Sequence, residues 1–326
     1  MIIAKAPLRI SFTGWWSDLP SFYEKFWWAV ISTSIDKYIY ITVNKKFDNK
    51  IRLSYSKTEE VDNIEELGHQ YVKEILKYLN FDWWLEITSI ADIPSKWSWL
   101  GSSSSFTVAM IHALNAYKWQ YISPAKLADE ACMIEIKKCG QPIWKQDQYA
   151  SAFWWLNLIE FKKDWDVIVE PILCLKDTKK RLEDNLIMLY TWVTRSASNI
   201  LENQNKAMVS DEKKQNIMQK MVKLTYDLKC ELENNNLNNF WKILHENWLL
   251  KKEMSGWISN DQIDNWYEKA IKAWAEWWKI LWAWWWGFLL FYAPKEKHES
   301  IYTALGDLKK VKFNFENEWS KIIFVH

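Results

Sequence analysis

Apolar and β-branched residues alternate with polar ones over residues 8–12 and 29–43, a period of two that predicts half-buried strands. Residues 51–55 repeat the pattern and are expected to pair back across the turn Phe47-Asp48-Asn49-Lys50. The period then changes. Ile64, Leu67, Tyr71, Ile75, Leu76 and Leu79 fall at helical spacing and predict a helix over 63–78. A strand over 85–90 follows and ends before Pro94. After Gly101 a serine run opens an apolar helix with Phe106, Met110, Ala113, Leu114 and Tyr117 on one face. Ser123 as N-cap and Pro124 in the first turn start another helix running toward Lys138. Residues 156–161 and 166–171 read as a hairpin.

From about residue 176 the texture differs. A strand over 185–190 leads into long polar helices, 196–254 and 261–278. An apolar strand over 280–292, a helix over 295–308 and closing strands over 311–315 and 321–325 complete the chain. The expected fold class is therefore α+β in two lobes, residues 1–176 and 177–326, with the boundary near 172–182. A chain of 326 residues is long enough to give each lobe its own core.

Charge adds an exclusion. Lys plus Arg number 42 against 41 Asp plus Glu, so no global field points to nucleic acid or an anionic membrane. A small anionic substrate would be held by a few local groups. The apolar run 280–293 is shorter than the ~20 residues of a membrane span, and the N-terminal stretch lacks the apolar core of a signal peptide. Cys132, Cys139, Cys174 and Cys230 make no metal-ligand spacing with the histidines, which suits free thiols in a reducing cytoplasm. His69, His112 and His245 have no partners at ligand spacing and read as structural.

Composition changes the picture once more. The chain has 26 Trp and only 7 Gly, whereas Gly is ordinarily ~7% of residues. Trp15-Trp16, Trp83-Trp84 and Trp284-Trp285-Trp286 occupy turn contexts where a residue free to take positive φ is expected. Our reading is that most of these are glycine positions of a parent sequence.

Three segments carry candidate chemistry. The first, Ala6 to Pro20, delivers Arg9 on a strand and Ser17-Asp18 on the following turn. By themselves an Arg and an Asp so placed are ordinary solvated residues. The second is Pro94-Ser95-Lys96-Trp97-Ser98-Trp99-Leu100-Gly101, followed by Ser102, Ser103, Ser104 and Ser105. It lies between a strand and a helix, so its hydroxyls and the free amides of the helix start suit an anion. One serine would suffice as a cap, and there is no Walker signature. The third, Lys279 to Phe291, is a buried strand as written, or a Gly-rich turn if its indoles stand for glycines.

With those substitutions the three segments resemble the three signature motifs of the GHMP small-molecule kinases. Ser11–Phe22, Ile31–Val43, Ile143–Phe153 and Tyr190–Leu201 further resemble D-glycero-D-manno-heptose 7-phosphate kinases. The resemblance implies an N-terminal lobe like ribosomal protein S5 and a ferredoxin-like C-terminal lobe. It implies ATP and Mg²⁺ as cofactors, a sugar phosphate as substrate and phosphorylation of its anomeric hydroxyl to the 1,7-bisphosphate. A cytoplasmic enzyme, with room for a homodimer, would follow. Asp147 matches the carboxylate at the acceptor hydroxyl; as a residue alone it fits equally well as an N-cap. Arg9 matches the basic partner in the first motif. Lys96, Ser98, Gly101 and Ser102 to Ser105 match the phosphate loop. Ser103 and Glu135 match the Mg²⁺ ligands, Glu135 one residue farther from Asp147 than in the mevalonate-kinase pattern. Ser17, Asp18 and Gly287 are expected at the sugar, and Arg195 at its existing phosphate. Another GHMP sugar kinase, fucokinase-like, is the alternative within the family. A non-catalytic, Trp-lined sugar-binding protein is the alternative outside it.

Overall fold

The computed structural model describes residues 1–14, 28–81, 84–93, 100–141, 143, 145–162, 165–191, 212–254, 261–281 and 287–326. Its larger sheet is built on two long strands, β1 (Ile2–Thr13) and β2 (Trp28–Lys45). They pair antiparallel along almost their whole length, Ile2 opposite Val43 and Thr13 opposite Ile31. The expected strands are therefore the cores of longer ones. The outer half of β2 pairs with β5 (Leu85–Ala91), and its inner half pairs with β6 (Leu156–Phe161). β6 forms the expected hairpin with β7 (Val167–Pro171).

The sequence expectation fails at β3 (Ile51–Ser54). It does not return to β2 but pairs parallel with β5 and antiparallel with β4 (Thr58–Val61). A period of two predicts a half-buried strand without naming its neighbour, and β5 takes the position beside β2. The last strand, β12 (Lys321–Val325), crosses back to pair with β1. A second, antiparallel sheet has the order β11 (Lys309–Val311), β8 (Leu186–Tyr190), β10 (Phe288–Tyr292), β9 (Trp277–Ile280).

α1 is Gln70–Tyr78, α2 Ser102–Tyr117, α3 Pro124–Cys132 and α4 Gln146–Ala152; α2 and α4 pack on the large sheet, α1 packs on α2, and α3 packs on α2 and α4. α1 is shorter than expected. A short turn at Ile64–Glu66 precedes it, and His69 caps it by accepting from the Val72 amide at 3.5 Å. α2 is buried over every residue from Ser104 to Asn115, so it is a central helix rather than the one-faced helix expected. α3 starts on the predicted Ser123 cap and widens into a π-helical turn over Met133–Lys138.

In the second half, α5 (Lys176–Asp184), missed by the sequence reading, occupies the expected boundary. α6 (Glu212–Glu233) and α7 (Phe240–Met254) fill the described part of the first polar stretch. α8 (Asp261–Lys272) ends earlier than predicted because β9 begins at Trp277. The single apolar strand expected over 280–292 is two, the end of β9 and β10. The helix over 295–308 is a short turn followed by α9 (His298–Ala304).

The two sheets share one core. Phe12 at the end of β1 packs edge-on against Phe240 of α7, ring centroids 5.4 Å apart, and against Phe315 at 6.3 Å. The four cysteines are free, and no described helix is long and apolar enough to cross a membrane.

Among the described residues, Asn49, Asn80, Asn235, Trp119, Trp155, Trp165 and Trp274 hold positive φ without being glycine. A β-carbon in that region costs about 1–2 kcal/mol per residue.

Candidate active site

β1, α2 and α4 converge at one point. Arg9 on β1 donates its amide to the Leu100 carbonyl at 3.0 Å, which fixes the entry to α2 against the strand. Gly101 then caps α2 at φ 79, with no side-chain cap on the helix start. A β-carbon at Gly101 would lie 3.3 Å from Arg9 Cγ and 3.6 Å from Asp147 Cβ. The left-handed turn favours glycine here, and the close approach of Arg9 leaves little room for a β-carbon. The amides of the first turn of α2 therefore open beside the Arg9–Asp147 pair.

Asp147 stands in the first turn of α4. Arg9 donates Nε to its Oδ1 at 2.8 Å, and the terminal guanidinium nitrogen reaches the same oxygen at 2.7 Å. Arg9 is buried, while the Asp147 side chain is 23% exposed. The carboxylate is thus clamped through one oxygen and open to a ligand. Its place in the first turn satisfies the N-terminal preference for acids, but Lys145 is the cap residue. The N-cap alternative for Asp147 is set aside.

The serine run divides. Ser104 and Ser105 turn inward. Ser105 Oγ donates to the Pro7 carbonyl at 2.8 Å, lies 3.0 Å from the Gly101 carbonyl and shares a 2.8 Å bond with Ser151. It ties β1, α2 and α4 together. Ser102 is half-buried and Ser103 exposed, so the outward hydroxyls are those two.

Glu135 sits on the π-helical turn, fully buried. Its carboxyl accepts from Ser104 at 2.8 Å, from Thr107 at 2.5 Å and from Gln148. Burial pushes its pKa up to about 7, with Asp147 adding repulsion, although the three donors pull the other way. No described cation pairs with it. The oxygen donors around Glu135, its own carboxyl and the Ser104 and Thr107 hydroxyls, are of the kind a hard divalent ion prefers, while the exposed Ser103 hydroxyl makes no bond to Glu135. Among the described residues no cluster of three His, Cys, Asp or Glu forms a complete cage of its own. Substrate oxygens would have to complete such a site.

Gly287 binds Thr191 on both sides, its amide to Oγ1 at 2.9 Å and its carbonyl to the Thr191 amide at 3.0 Å. Those groups are occupied in holding β10 to the end of β8. Ser17, Asp18, Lys96, Ser98 and Arg195 lie outside the described residues. His112 is structural as expected, bonded to Ser320 at 2.9 Å.

Sequence reasoning missed Thr107, Gln148 and Lys279. Thr107 lies one helical turn beyond Ser103 and Ser104, and Gln148 directly follows Asp147, so both were legible in principle. Lys279 was not. From β9 it is fully buried, and its ammonium donates to Ser11 O, to Ser11 Oγ at 3.3 Å and to Phe12 O at 3.2 Å. It pins the smaller sheet to the strand that carries Arg9. Burial, with Lys251 and Arg9 nearby, holds its pKa well below the usual lysine range.

Comparisons to known proteins bear on the family and the fold. Residues 70–153, from α1 through α4, match the family model for the GHMP kinases N terminal domain. The chain is 28% identical over 247 residues to the D-glycero-alpha-D-manno-heptose 7-phosphate kinase of Campylobacter jejuni, covering 76% of this chain and 71% of that protein. Among solved structures it resembles a D-glycero-D-manno-heptose 1-phosphate kinase from Bacteriodes thetaiotaomicron, with TM-score 0.83, 21% identity and the whole of both chains aligned. It also resembles Lactococcus lactis galactokinase, with TM-score 0.75, 17% identity and coverage of 98% and 94%. Family match and two-lobed fold agree: residues 70–153 are a GHMP kinase N-terminal domain, and the chain has the fold of the GHMP small-molecule kinases.

Proposed function

We propose that the protein transfers the γ-phosphoryl group of ATP to the anomeric hydroxyl of D-glycero-D-manno-heptose 7-phosphate, giving the 1,7-bisphosphate. The observation that carries the reading is the Arg9–Asp147 ion pair standing beside the left-handed Gly101 that opens α2, where phosphates and an acceptor hydroxyl would meet. The first-turn amides of α2, with Ser102 and Ser103, suit the donor phosphates. Residues Lys96 and Ser98 belong to the same loop by resemblance. Asp147 Oδ2, free of Arg9, accepts the proton of the attacking hydroxyl. The hydroxyl oxygen bonds to the γ-phosphorus as the bond to the ADP oxygen breaks, and ADP leaves. Arg9 holds the carboxylate in register and offers positive charge to the transferring group. Ser103 and Glu135 would hold Mg²⁺, which supplies charge neutralisation at the phosphates. Asp18 and Ser17 would bind sugar hydroxyls, and Arg195 the phosphate already on the sugar.

The relatives support a sugar phosphate, and their names differ in where that phosphate sits. A coupled assay of ADP release with heptose 7-phosphate, heptose 1-phosphate and the unphosphorylated heptose tests the choice. Activity is expected with the 7-phosphate and a loss of about 10²–10⁴-fold in Asp147→Ala. Turnover of the 1-phosphate or the free sugar instead, or full activity in Asp147→Ala, refutes the reading.

A further inference from the structure

We infer that glycine stands at positions 119, 155, 165, 274, 277 and 278 in the protein made by its own cell, which decodes as glycine a codon otherwise read as tryptophan. Four helices end in the same motif. After α1, Asn80 N donates to Lys77 O at 3.0 Å and Phe81 N to Leu76 O at 2.9 Å. After α6, Asn235 N donates to Leu232 O at 3.0 Å and Asn236 N to Glu231 O at 2.9 Å. After α2, Trp119 N reaches Ala116 O at 2.9 Å and Gln120 N reaches Asn115 O at 2.9 Å. After α8, Trp274 N reaches Ile271 O at 3.0 Å and Ala275 N reaches Ala270 O at 2.9 Å. The left-handed residue of this motif is usually Gly and sometimes Asn, because a β-carbon crowds the following carbonyl. Two of the four caps obey that rule, and the other two are tryptophan.

At the two helix ends no burial compensates, whereas Trp155 and Trp165 are partly buried. Trp119 is 84% exposed and Trp274 is 65% exposed. Trp155 at φ 78 and Trp165 at φ 73 occupy turns on either side of β6, the second closing a hairpin in which Lys162 N donates to Asp166 O. Among the described residues, no residue other than Asn, Trp and Gly holds positive φ. Trp277 and Trp278 give an independent sign. They are successive residues of β9, both buried, and neither indole N–H has an acceptor, whereas a buried indole usually finds one.

Other tryptophans behave differently. Trp248 inside α7 and Trp266 inside α8 are buried in helix interiors, where glycine is a poor residue. Two populations of one residue type, one set apart by positive φ at 119, 155, 165 and 274 and by unbonded buried indoles at 277 and 278, are what two codons produce. A surface selected for aromatic sugar platforms would not sort its indoles by φ. By the same decoding, positions 97 and 99 of the phosphate loop carry glycine.

Peptide mass mapping of the protein isolated from its native cell tests the inference. Glycine is expected at all six positions, with tryptophan retained at 248 and 266. Tryptophan at 119, 155, 165 and 274 overturns it, as does glycine at 248 and 266. A second measurement compares synthetic proteins with tryptophan or with glycine at the six positions. The thermal midpoint of the glycine form should be higher by roughly 5 °C or more; an equal or lower midpoint overturns the inference. Neither readout involves kinase activity, so the outcome is separate from that of the proposed reaction.

Discussion

Glu135 is the residue whose environment has the clearest chemical consequence. Its carboxyl is raised by burial from 4.5 to about 7, so the unfolded chain ionises it at lower pH than the folded protein does. Between those values the unfolded state binds fewer protons, and stability falls as pH rises. The shift corresponds to roughly 3 kcal/mol. Glu135→Gln should therefore flatten the decline in unfolding free energy between about pH 4.5 and 7, measured by urea denaturation at each pH. A wild-type decline that persists in Glu135→Gln assigns it elsewhere. At this scale the sequence was informative about identity and poor about partners. Arg9, Asp147, Ser103 and Glu135 were each singled out as candidates through the family motifs, and the structure pairs the first two. That Ser104 bonds Glu135, and that Ser105 faces Ser151, follows from the direction of side chains on α2, which a serine run cannot specify.

Elements were legible where periodicity was local and strong. The β6–β7 hairpin, the Ser123 cap and the strand cores follow from spacing and caps alone. The parallel pairing of β3 with β5 was not foreseen, because alternation carries no information about which edge is free. The apolar stretch near residue 280 was read as one strand, since hydrophobicity cannot locate a break between two buried strands. β9 matters to the site through Lys279. Replacing it by Met keeps the packing volume but removes the donor to Ser11 and Phe12 on β1. Lys279→Met should lower kcat roughly ten- to a hundredfold with circular dichroism unchanged, because Arg9 lies on the strand it steadies. Unaltered kcat in a folded Lys279→Met protein would show that β1 is held without it.

For the whole molecule, the last strand is the structural link. β12 pairs with β1 from Ile2 to Lys5, and Ser320 just before it bonds His112 of α2. The strand's own side chains are mostly exposed, so it contributes mainly backbone hydrogen bonds, each worth about 1 kcal/mol net. Deleting residues 321–326 should cost a few such bonds in chemical denaturation. It should also uncover the β1 edge and promote self-association in sedimentation. A monomer as stable as the full chain would contradict that role.

The amino-acid sequence by itself determined the α+β class, the serine-headed helix that follows Gly101 and the candidates Asp147 and Arg9. It could do so because caps, periodicity and motif spacing are local properties of the chain. Tertiary structure alone decided which strands are neighbours, which serines face inward, that Lys279 reaches β1, and that Arg9 clamps the carboxyl of Asp147. Those facts depend on contacts between residues far apart in the chain, and only closure of the sheets around a common core brings them together.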